Sequence, residues 1–268
     1  MKRVNEICKE VAEKRPLIHC ITNPISINQC ANTILAVGAR PMMAEHPKEV
    51  AEITATADAL VLNTGNITDA RIDAIEISLM CAKEKDIPTV LDAVGVACSS
   101  LRREFIKKIL KKAVPTLVKG NYSEIMALYD ERYHSSGVDA EIFLDANLIS
   151  KAAAELSNRL GCMVLATGKR DIIAKENTIV FVDNGNAQLS SVTGTGCMLG
   201  ALCGTFLSVD SGIDAVVSAT AFFGICGELS ETEIGYGTFM TRLMDNLSAF
   251  NKIDIEKYLR LEEKYEEV

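Results

Sequence analysis

The sequence contains no tryptophan, and its 268 residues include only three histidines. These histidines do not have the spacing of metal ligands, so we interpret each of them as structural or exposed. They are His19, His46 and His134. The nine cysteines include no CxxC pair, so the sequence predicts neither a zinc site nor a disulfide framework.

The sequence also lacks an excess of positive charge and a long apolar run. Its formal net charge is −8, which argues against binding to nucleic acid or to an anionic membrane, because either partner requires a basic surface. The longest apolar stretches, residues 198–209 and 215–226, are too short to cross a bilayer. The first 15 residues are charged and lack the apolar centre of a secretory signal. We therefore expect a cytoplasmic protein.

Short apolar strands alternate with helices along the chain, without a repeat or a linker, and we expect one domain over residues 1–268. The predicted strands are 17–21, 41–44, 59–62, 89–91, 116–118 and 163–166, followed by a hairpin of 171–174 and 178–183. The predicted helices are 26–37, 47–57, 69–85, 101–112, one that begins after Asn121, and 146–160. The remainder is predicted to be mostly helical.

This alternation is typical of βαβ units and predicts an α/β fold with a mainly parallel sheet. In such folds ligands bind at the carboxyl ends of the strands. Polar residues follow the predicted strands at Asn23, Asn63-Thr64-Gly65, Asp92, Lys119-Gly120-Asn121 and Thr167-Gly168. We expect the functional site at this edge of the sheet.

Residues 192–202 (VTGTGCMLGAL) join a glycine pair to an apolar helix pattern. The first N–H groups of a helix have no partner within it, and the helix dipole attracts negative charge there. Four such N–H groups form a candidate site for a phosphoryl group, which we call the anion site. They belong to Gly194, Thr195, Gly196 and Cys197.

This stretch has two other interpretations. A plain tight turn that leads into a buried helix would have the same sequence. The spacing of Gly194, Gly196 and Gly200, with Asp214 further on, also fits a relaxed dinucleotide-binding pattern, but that pattern belongs to the first βαβ unit. The Walker pattern GxxxxGK[ST] is absent, so a nucleotide would be held in another way.

Four further candidates have a structural alternative. Asp92 would either cap the next turn or supply a hard oxygen to Mg²⁺. Glu124 would either complete a capping box with Asn121 or lie near a metal-bound phosphate. Lys119 is either an ordinary surface lysine or a point charge for a phosphate oxygen. Met43 is interpreted, on composition alone, as a core residue.

Several segments taken together carry a more specific signal. They are residues 21–32 (ITNPISINQCAN), 35–44 (LAVGARPMMA), 60–65 (LVLNTG), 91–95 (LDAVG), 119–125 (KGNYSEI), 166–168 (ATG) and 192–197 (VTGTGC). In this order, and over nearly the whole chain, they resemble the hydroxyethylthiazole kinase family.

The resemblance implies a ribokinase-like fold, in which three layers (α/β/α) enclose a mainly parallel central sheet. It implies ATP-dependent phosphorylation of the hydroxyethyl group of 4-methyl-5-(2-hydroxyethyl)thiazole, with Mg²⁺, in thiamine biosynthesis and salvage. It also implies a homotrimer whose thiazole sites lie at the subunit interfaces.

The resemblance also assigns residues to the two substrates. Met43 and Gly194 match positions that contact the thiazole. Asn23 lies in the first of the segments above, residues 21–32, which we call the N-terminal substrate segment, and it is a further candidate for this contact. Lys119 and Thr167 match positions that bind ATP.

For the metal and the chemistry, Asp92 and Glu124 match positions that organise Mg²⁺ and phosphate. Cys197 occupies the position where related sugar and vitamin kinases usually carry an aspartate base. A helix N-terminus lowers the pKa of a thiol, so we expect Cys197 to be a modest proton acceptor or a positioning group. A nucleophilic role is disfavoured, because no His–Asn partner pattern accompanies it.

The chain departs from the family pattern at four positions: Gln29 replaces an aspartate, Ala93 a proline, Lys119 an arginine and Tyr236 a proline. A lysine keeps the charge but cannot form a bidentate contact, so nucleotide affinity is the property most affected.

Two other functions remain open. Another ribokinase-like kinase, for hydroxymethylpyrimidine or a sugar, would differ in the N-terminal substrate segment. A non-catalytic nucleotide-binding protein would bind ATP without phosphorylating an alcohol.

Overall fold

The computed structural model describes residues 4–134 and 145–265, and within them nine strands form one sheet. The strands are β1 (Leu17–Ile21), β2 (Arg40–Met42), β3 (Ala59–Asn63), β4 (Thr89–Asp92), β5 (Leu117–Asn121), β6 (Met163–Thr167), β7 (Asp171–Lys175), β8 (Thr178–Val182) and β9 (Leu261–Tyr265). The helices are α1 (Val4–Lys14), α2 (Ile27–Ala36), α3 (Val50–Thr54), α4 (Asp69–Glu84), α5 (Ser100–Lys112), α6 (Tyr122–Tyr129), α7 (Ala146–Leu160), α8 (Ala187–Ser191), α9 (Thr195–Leu207), α10 (Ile213–Leu229), α11 (Tyr236–Ser248) and α12 (Ile255–Tyr258).

The strand order across the sheet is β2-β1-β3-β4-β5-β6-β7-β8-β9. Neighbouring strands are parallel from β2 to β6, and β7, β8 and β9 extend the sheet in antiparallel fashion. The mainly parallel sheet predicted from the sequence is therefore confirmed. Its parallel part brings the carboxyl ends of β1, β3, β4, β5 and β6 to one edge.

Helices cover both faces of this sheet, because its central strands are apolar on both sides. Every residue of β3 and β4 is buried. On one face Val61 and Val90 pack in a core cluster with residues of α1, α2, α9, α10 and α11. On the other face Leu60, Leu62 and Leu91 pack with residues of α4 to α7. The arrangement has the expected three layers.

None of the helices in the two described ranges is long and apolar enough to span a bilayer.

His19 is buried, and its ring nitrogens are hydrogen-bonded to Thr54 Oγ1 and to the carbonyl of Ala44. His46 and His134 are exposed. The interpretation of the histidines as structural or exposed is confirmed.

Most element bounds lie within a few residues of the prediction, but two elements differ more. The helix predicted over 47–57 begins at Val50 and ends at Thr54, because the carbonyl of His46 accepts hydrogen bonds from both Glu49 and Val50 and a turn comes first. Residues 261–265, predicted as helical, form β9 instead. They pair with the free edge of β8, where charged side chains are tolerated because that edge faces solvent.

Candidate active site

The anion site lies at the start of α9. Gly194 precedes the helix in a left-handed conformation (φ +96°), which a glycine adopts without strain. The first helical hydrogen bond joins the Met198 N–H to the Gly194 carbonyl. Among the described residues, no backbone carbonyl accepts a hydrogen bond from the N–H groups of residues 194–197. Gly196 is exposed, Gly194 and Cys197 are half-buried and Thr195 is buried, so the site is accessible from solvent at Gly196.

Three polar side chains meet beneath α9 because their strands are neighbours. In the sheet register Asn63 of β3 pairs with Asp92 of β4, which pairs with Lys119 of β5. Lys119 Nζ donates a hydrogen bond of 2.9 Å to Asp92 Oδ1. Asn63 Nδ2 donates one of 2.9 Å to Asp92 Oδ2. All three side chains are buried, so the structure excludes the interpretation of Lys119 as a surface lysine.

The small residues of α9 allow the helix to lie close to the side chains of Asp92 and Lys119. A Cβ atom on Gly200 would lie 3.4 Å from Asp92 Oδ2, and one on Gly196 would lie 3.8 Å from Lys119 Nζ. The ammonium group of Lys119 therefore lies directly under the anion site. Burial alone would lower the pKa of Lys119, but the charge and hydrogen bond of Asp92 raise it above its ordinary value. The lysine stays positively charged.

Cys197 receives hydrogen bonds from two amides. Its Sγ atom accepts one of 3.2 Å from Asn23 Nδ2 and one of 3.3 Å from Asn63 Nδ2. The expectation that the helix N-terminus lowers the thiol pKa is wrong. Burial, and then the negative charge of Asp92, raise the pKa of Cys197 above its ordinary value. The residue is therefore a thiol at neutral pH and not a thiolate.

Glu124 forms the predicted capping box at the start of α6. Its Oε2 accepts a hydrogen bond from the Asn121 N–H, and its own N–H donates to Asn121 Oδ1. Its Oε1 also accepts one from the Gly95 N–H, which ties α6 to the loop after β4. Burial, and then the charge of Asp92, raise the pKa of Glu124. The capping interpretation is confirmed, and Glu124 also lies within electrostatic reach of Asp92.

Within residues 4–134 and 145–265 no group of three or more His, Cys, Asp or Glu side chains could hold a metal ion by itself. Mg²⁺ in phosphotransferases is bound by one or two carboxylates together with phosphate oxygens and water. Each oxygen of Asp92 and Glu124 accepts one protein hydrogen bond and keeps a second lone pair. The two carboxylates therefore fit a metal ion that is shared with the phosphates of a nucleotide.

The other candidates surround this centre. Asn23 is buried, and its Oδ1 accepts a hydrogen bond from the Ser26 N–H. Met43 is half-buried and packs against the same core cluster as Cys197, in agreement with its interpretation as a core residue. Thr167 ends β6, where it pairs with the last residue of β5, and its Oγ1 contacts the Gly120 carbonyl at 3.4 Å.

Two residues that the sequence did not assign are part of the site. For Asn63 the sequence indicates only its place at a strand end. Arg71 of α4 is buried and donates hydrogen bonds to the carbonyls of Asn63, Gly65 and Asn66. An arginine on the buried face of an otherwise ordinary helix is the signal that could have found it, because a buried guanidinium needs several acceptors.

Comparisons with known proteins show which family the chain matches. The model of the hydroxyethylthiazole kinase family matches residues 8–252. The chain is 43% identical to "Hydroxyethylthiazole kinase 2" of Clostridium botulinum over 261 residues, which cover 96% of this chain and 98% of that one. It is 40% identical to "Hydroxyethylthiazole kinase" of Methanosarcina acetivorans over 264 residues, or 97% and 100% of the two chains.

Solved structures give the same result for the fold. A hydroxyethylthiazole kinase protein from Pyrococcus horikoshii superposes with a TM-score of 0.88 at 33% identity, over 98% of this chain and 100% of that one. A ribokinase-like superfamily protein from Enterococcus faecalis superposes with a TM-score of 0.65 at 13% identity, over 95% and 94% of the two chains, and this likeness concerns the fold alone. The chain has a ribokinase-like fold, and it belongs to the hydroxyethylthiazole kinase family.

Proposed function

We propose that this chain transfers the γ-phosphoryl group of ATP to the hydroxyl group of 4-methyl-5-(2-hydroxyethyl)thiazole, in thiamine biosynthesis and salvage. The products are the thiazole phosphate ester and ADP. One observation carries the proposal: in a chain of this family, the N–H groups of residues 194–197 have no backbone partner, and the helix start that carries them lies against the buried ion pair of Lys119 and Asp92.

The anion site fits the charge that develops during phosphoryl transfer. The bond between the γ-phosphorus and the β,γ-bridging oxygen breaks while a bond to the substrate oxygen forms, and negative charge spreads over the non-bridging oxygens. The N–H groups of residues 194–197 would donate hydrogen bonds to these oxygens, and Lys119 would add positive charge from below. Such preorganised donors lower the barrier because they need no rearrangement when the charge appears.

The hydroxyl group of the substrate must lose its proton during the reaction. We assign Cys197 a positioning role and not the role of the base that accepts this proton. Its raised pKa keeps the thiol protonated, while two amide donors fix its sulfur beside the anion site. In a loose transition state the bond to the nucleophile is only partly formed. The proton is therefore lost late, to water or to the transferred phosphoryl group.

Asp92 and Glu124 are the residues that would hold Mg²⁺, since their free lone pairs are the hard oxygen ligands that this ion prefers. When bound, the ion neutralises charge on the phosphates. Thr167, at the end of β6, and Lys119 would contact ATP. Asn23, Met43 and Gly194 would contact the thiazole.

We further propose that the chain acts as a cytoplasmic homotrimer with sites at the subunit interfaces. Ile25 lies in the N-terminal substrate segment and Leu35 follows it. They are 62% and 54% exposed, which is the kind of apolar surface that a second copy covers. All nine cysteines are free thiols, as is typical of a reducing compartment. Sedimentation equilibrium measures the oligomeric state directly, and a monomer would contradict the proposed trimer.

Incubation with the thiazole alcohol, ATP and Mg²⁺, followed by mass detection of the phosphate ester, tests the function. Hydroxymethylpyrimidine and a set of sugars serve as competing acceptors in the same assay. The proposal predicts an ester of the thiazole alcohol in preference to the others. Binding of ATP without any ester would indicate a non-catalytic nucleotide-binding protein, and preference for another acceptor would indicate a different kinase.

A further inference from the structure

Asn63 lies at the centre of the site, between Asp92 and Cys197. It is the last residue of β3, it is paired in register with Asp92 of β4, and only 1% of it is exposed. A buried side-chain amide is costly unless its donors and acceptors are all used. The partners of Asn63 are therefore informative.

All four hydrogen-bonding capacities of this amide are satisfied, and by groups of the site. An asparagine side chain offers two N–H donors and two acceptor lone pairs. Nδ2 donates to Asp92 Oδ2 at 2.9 Å and to Cys197 Sγ at 3.3 Å. Oδ1 accepts from the Gly65 N–H at 2.8 Å and from Asn23 Nδ2 at 3.3 Å. The amide cannot rotate or shift without losing several of these bonds.

The backbone around Asn63 is fixed as well. Arg71 donates hydrogen bonds to its carbonyl at 2.9 Å and to the carbonyl of Gly65 at 2.6 Å. A Cβ atom on Gly65 would lie only 2.9 Å from Asn63 Oδ1, so the turn closes tightly over the amide. Asn63 is thus held from both sides, as a rigid support for another group would be.

We propose that Asn63 is a positioning residue for phosphoryl transfer, whose single amide fixes both the carboxylate of Asp92 and the sulfur of Cys197. Lys119 holds only the other carboxylate oxygen, Oδ1, so without Asn63 the carboxylate is free to turn about that one contact. Misplacement of reacting or charge-bearing groups by a fraction of an ångström lowers the rate even when binding is intact. This inference rests on the kinase function proposed above.

Two variants separate the donor role from mere filling of space. Asn63→Asp keeps the shape and both accepted hydrogen bonds but loses both donors, whereas Asn63→Ala loses all four bonds. We expect kcat to fall about 10- to 100-fold in each, as for other residues that orient a functional carboxylate. Because protein groups use all four hydrogen-bonding positions of the Asn63 amide, we expect it to bind neither substrate directly. KM for ATP and for the thiazole alcohol should therefore stay within about threefold of wild type.

Asn184 provides the matched control. It is 5% exposed, its Nδ2 donates to the Tyr258 carbonyl at 2.8 Å and to Glu228 Oε1 at 3.2 Å, and its Oδ1 accepts from the Arg260 N–H. Asn184→Asp and Asn184→Ala therefore disturb a buried amide beside a carboxylate outside the site. They should lower the melting temperature as the Asn63 variants do, but leave kcat within about twofold of wild type.

The experiment compares kcat, KM and melting temperature for the wild type and all four variants. A folded Asn63→Asp with the kcat of wild type would overturn the inference, as would a loss confined to KM or an equal fall in kcat in the Asn184 variants. If the alanine variant does not fold, Asn63→Asp still decides, because it leaves no cavity. A wild type that forms no ester would instead overturn the proposed function, so the two failures are distinguishable.

Discussion

Lys119 Nζ donates a hydrogen bond of 2.9 Å to Asp92 Oδ1, and the two residues are only 3% and 1% exposed. At this burial both charges have lost most of their hydration, so each depends on the other. The pair also lies against Gly196 and Gly200 in the first turns of α9, next to the anion site. A phosphoryl group bound there would share the positive charge of Lys119 with Asp92.

Substitution of Lys119 should therefore destabilise the protein strongly. Lys119→Ala leaves the Asp92 carboxylate buried without its counter-ion, and we expect a loss of about 3–5 kcal/mol in the free energy of unfolding. Urea unfolding monitored by circular dichroism measures it. Lys107→Ala is the control, because Lys107 pairs with Glu131 at the surface and such pairs contribute little. Equal losses in the two variants would contradict the account.

Cys197→Asp should retain or raise kinase activity. Two amide donors already point at the sulfur, and a carboxylate is ionised at pH 7, whereas burial keeps the thiol protonated. Cys197→Ala removes the group that accepts these bonds and should lower kcat. Steady-state kinetics with the thiazole alcohol and ATP measure both variants. An aspartate variant as impaired as the alanine variant would contradict this prediction, because it would show that a carboxylate cannot take the place of the thiol.

Gly204 should not tolerate a side chain. A Cβ atom there would lie 2.3 Å from Val61 Cγ2 of β3, so α9 would have to move away from the sheet that carries the site. We expect Gly204→Ala to destabilise the protein by about 1–3 kcal/mol, as overpacking of a core does. Gly237→Ala in α11 is the control, because nothing lies within 4 Å of its Cβ position. Thermal unfolding compares them, and equal stability of the two variants would mean that α9 does not pack as described.

Asp171 should make stability depend on pH. Burial raises the pKa of this carboxyl from 3.8 to about 7. The folded state therefore holds the proton more tightly than the unfolded chain, and Asp171 costs stability as pH rises from about 4 to 7. Asn keeps the oxygen that accepts the Gly168 N–H bond but does not titrate. The melting temperature of Asp171→Asn minus that of wild type should thus increase over this range.

Asp130 is the control, because its contribution to stability changes with pH in the opposite direction. Hydrogen bonds from the backbone N–H and side chain of Arg132 lower the pKa of Asp130. Asp130 stabilises the fold once it is ionised, so the difference for Asp130→Asn should decrease as pH rises. The same sign for both variants, or a difference for Asp171→Asn that is independent of pH, would refute the assignment.

Much of the architecture could be predicted from local patterns. The run of buried residues in β3 and β4, and the asparagine cap and glutamate of α6, are decided by neighbours in the sequence. β9 could not be predicted in this way, because its charged residues become a strand only through pairing with β8. Its structure depends on a partner that is distant in the chain.

The site also combines features that are decided by sequence neighbours with features that depend on distant parts of the chain. The glycine pair and the strand-end residues indicated where the site lies, because helix starts and parallel strand ends have fixed properties. The sequence could not show that Lys119 is bonded to Asp92, or that Asn63 joins Asp92 to Cys197, since these contacts depend on register. The expected direction of the Cys197 pKa is wrong, because burial and the charge of Asp92, which raise this pKa, depend on parts of the chain that are distant in the sequence.

The most direct test of the anion site is a crystal structure with the thiazole alcohol, ADP, Mg²⁺ and aluminium fluoride, which imitates the phosphoryl group in transfer. The account predicts that the fluoride atoms accept hydrogen bonds from the N–H groups of residues 194–197 and lie close to Lys119 Nζ. A complex in which the fluoride binds elsewhere, while those N–H groups face only solvent, would contradict it.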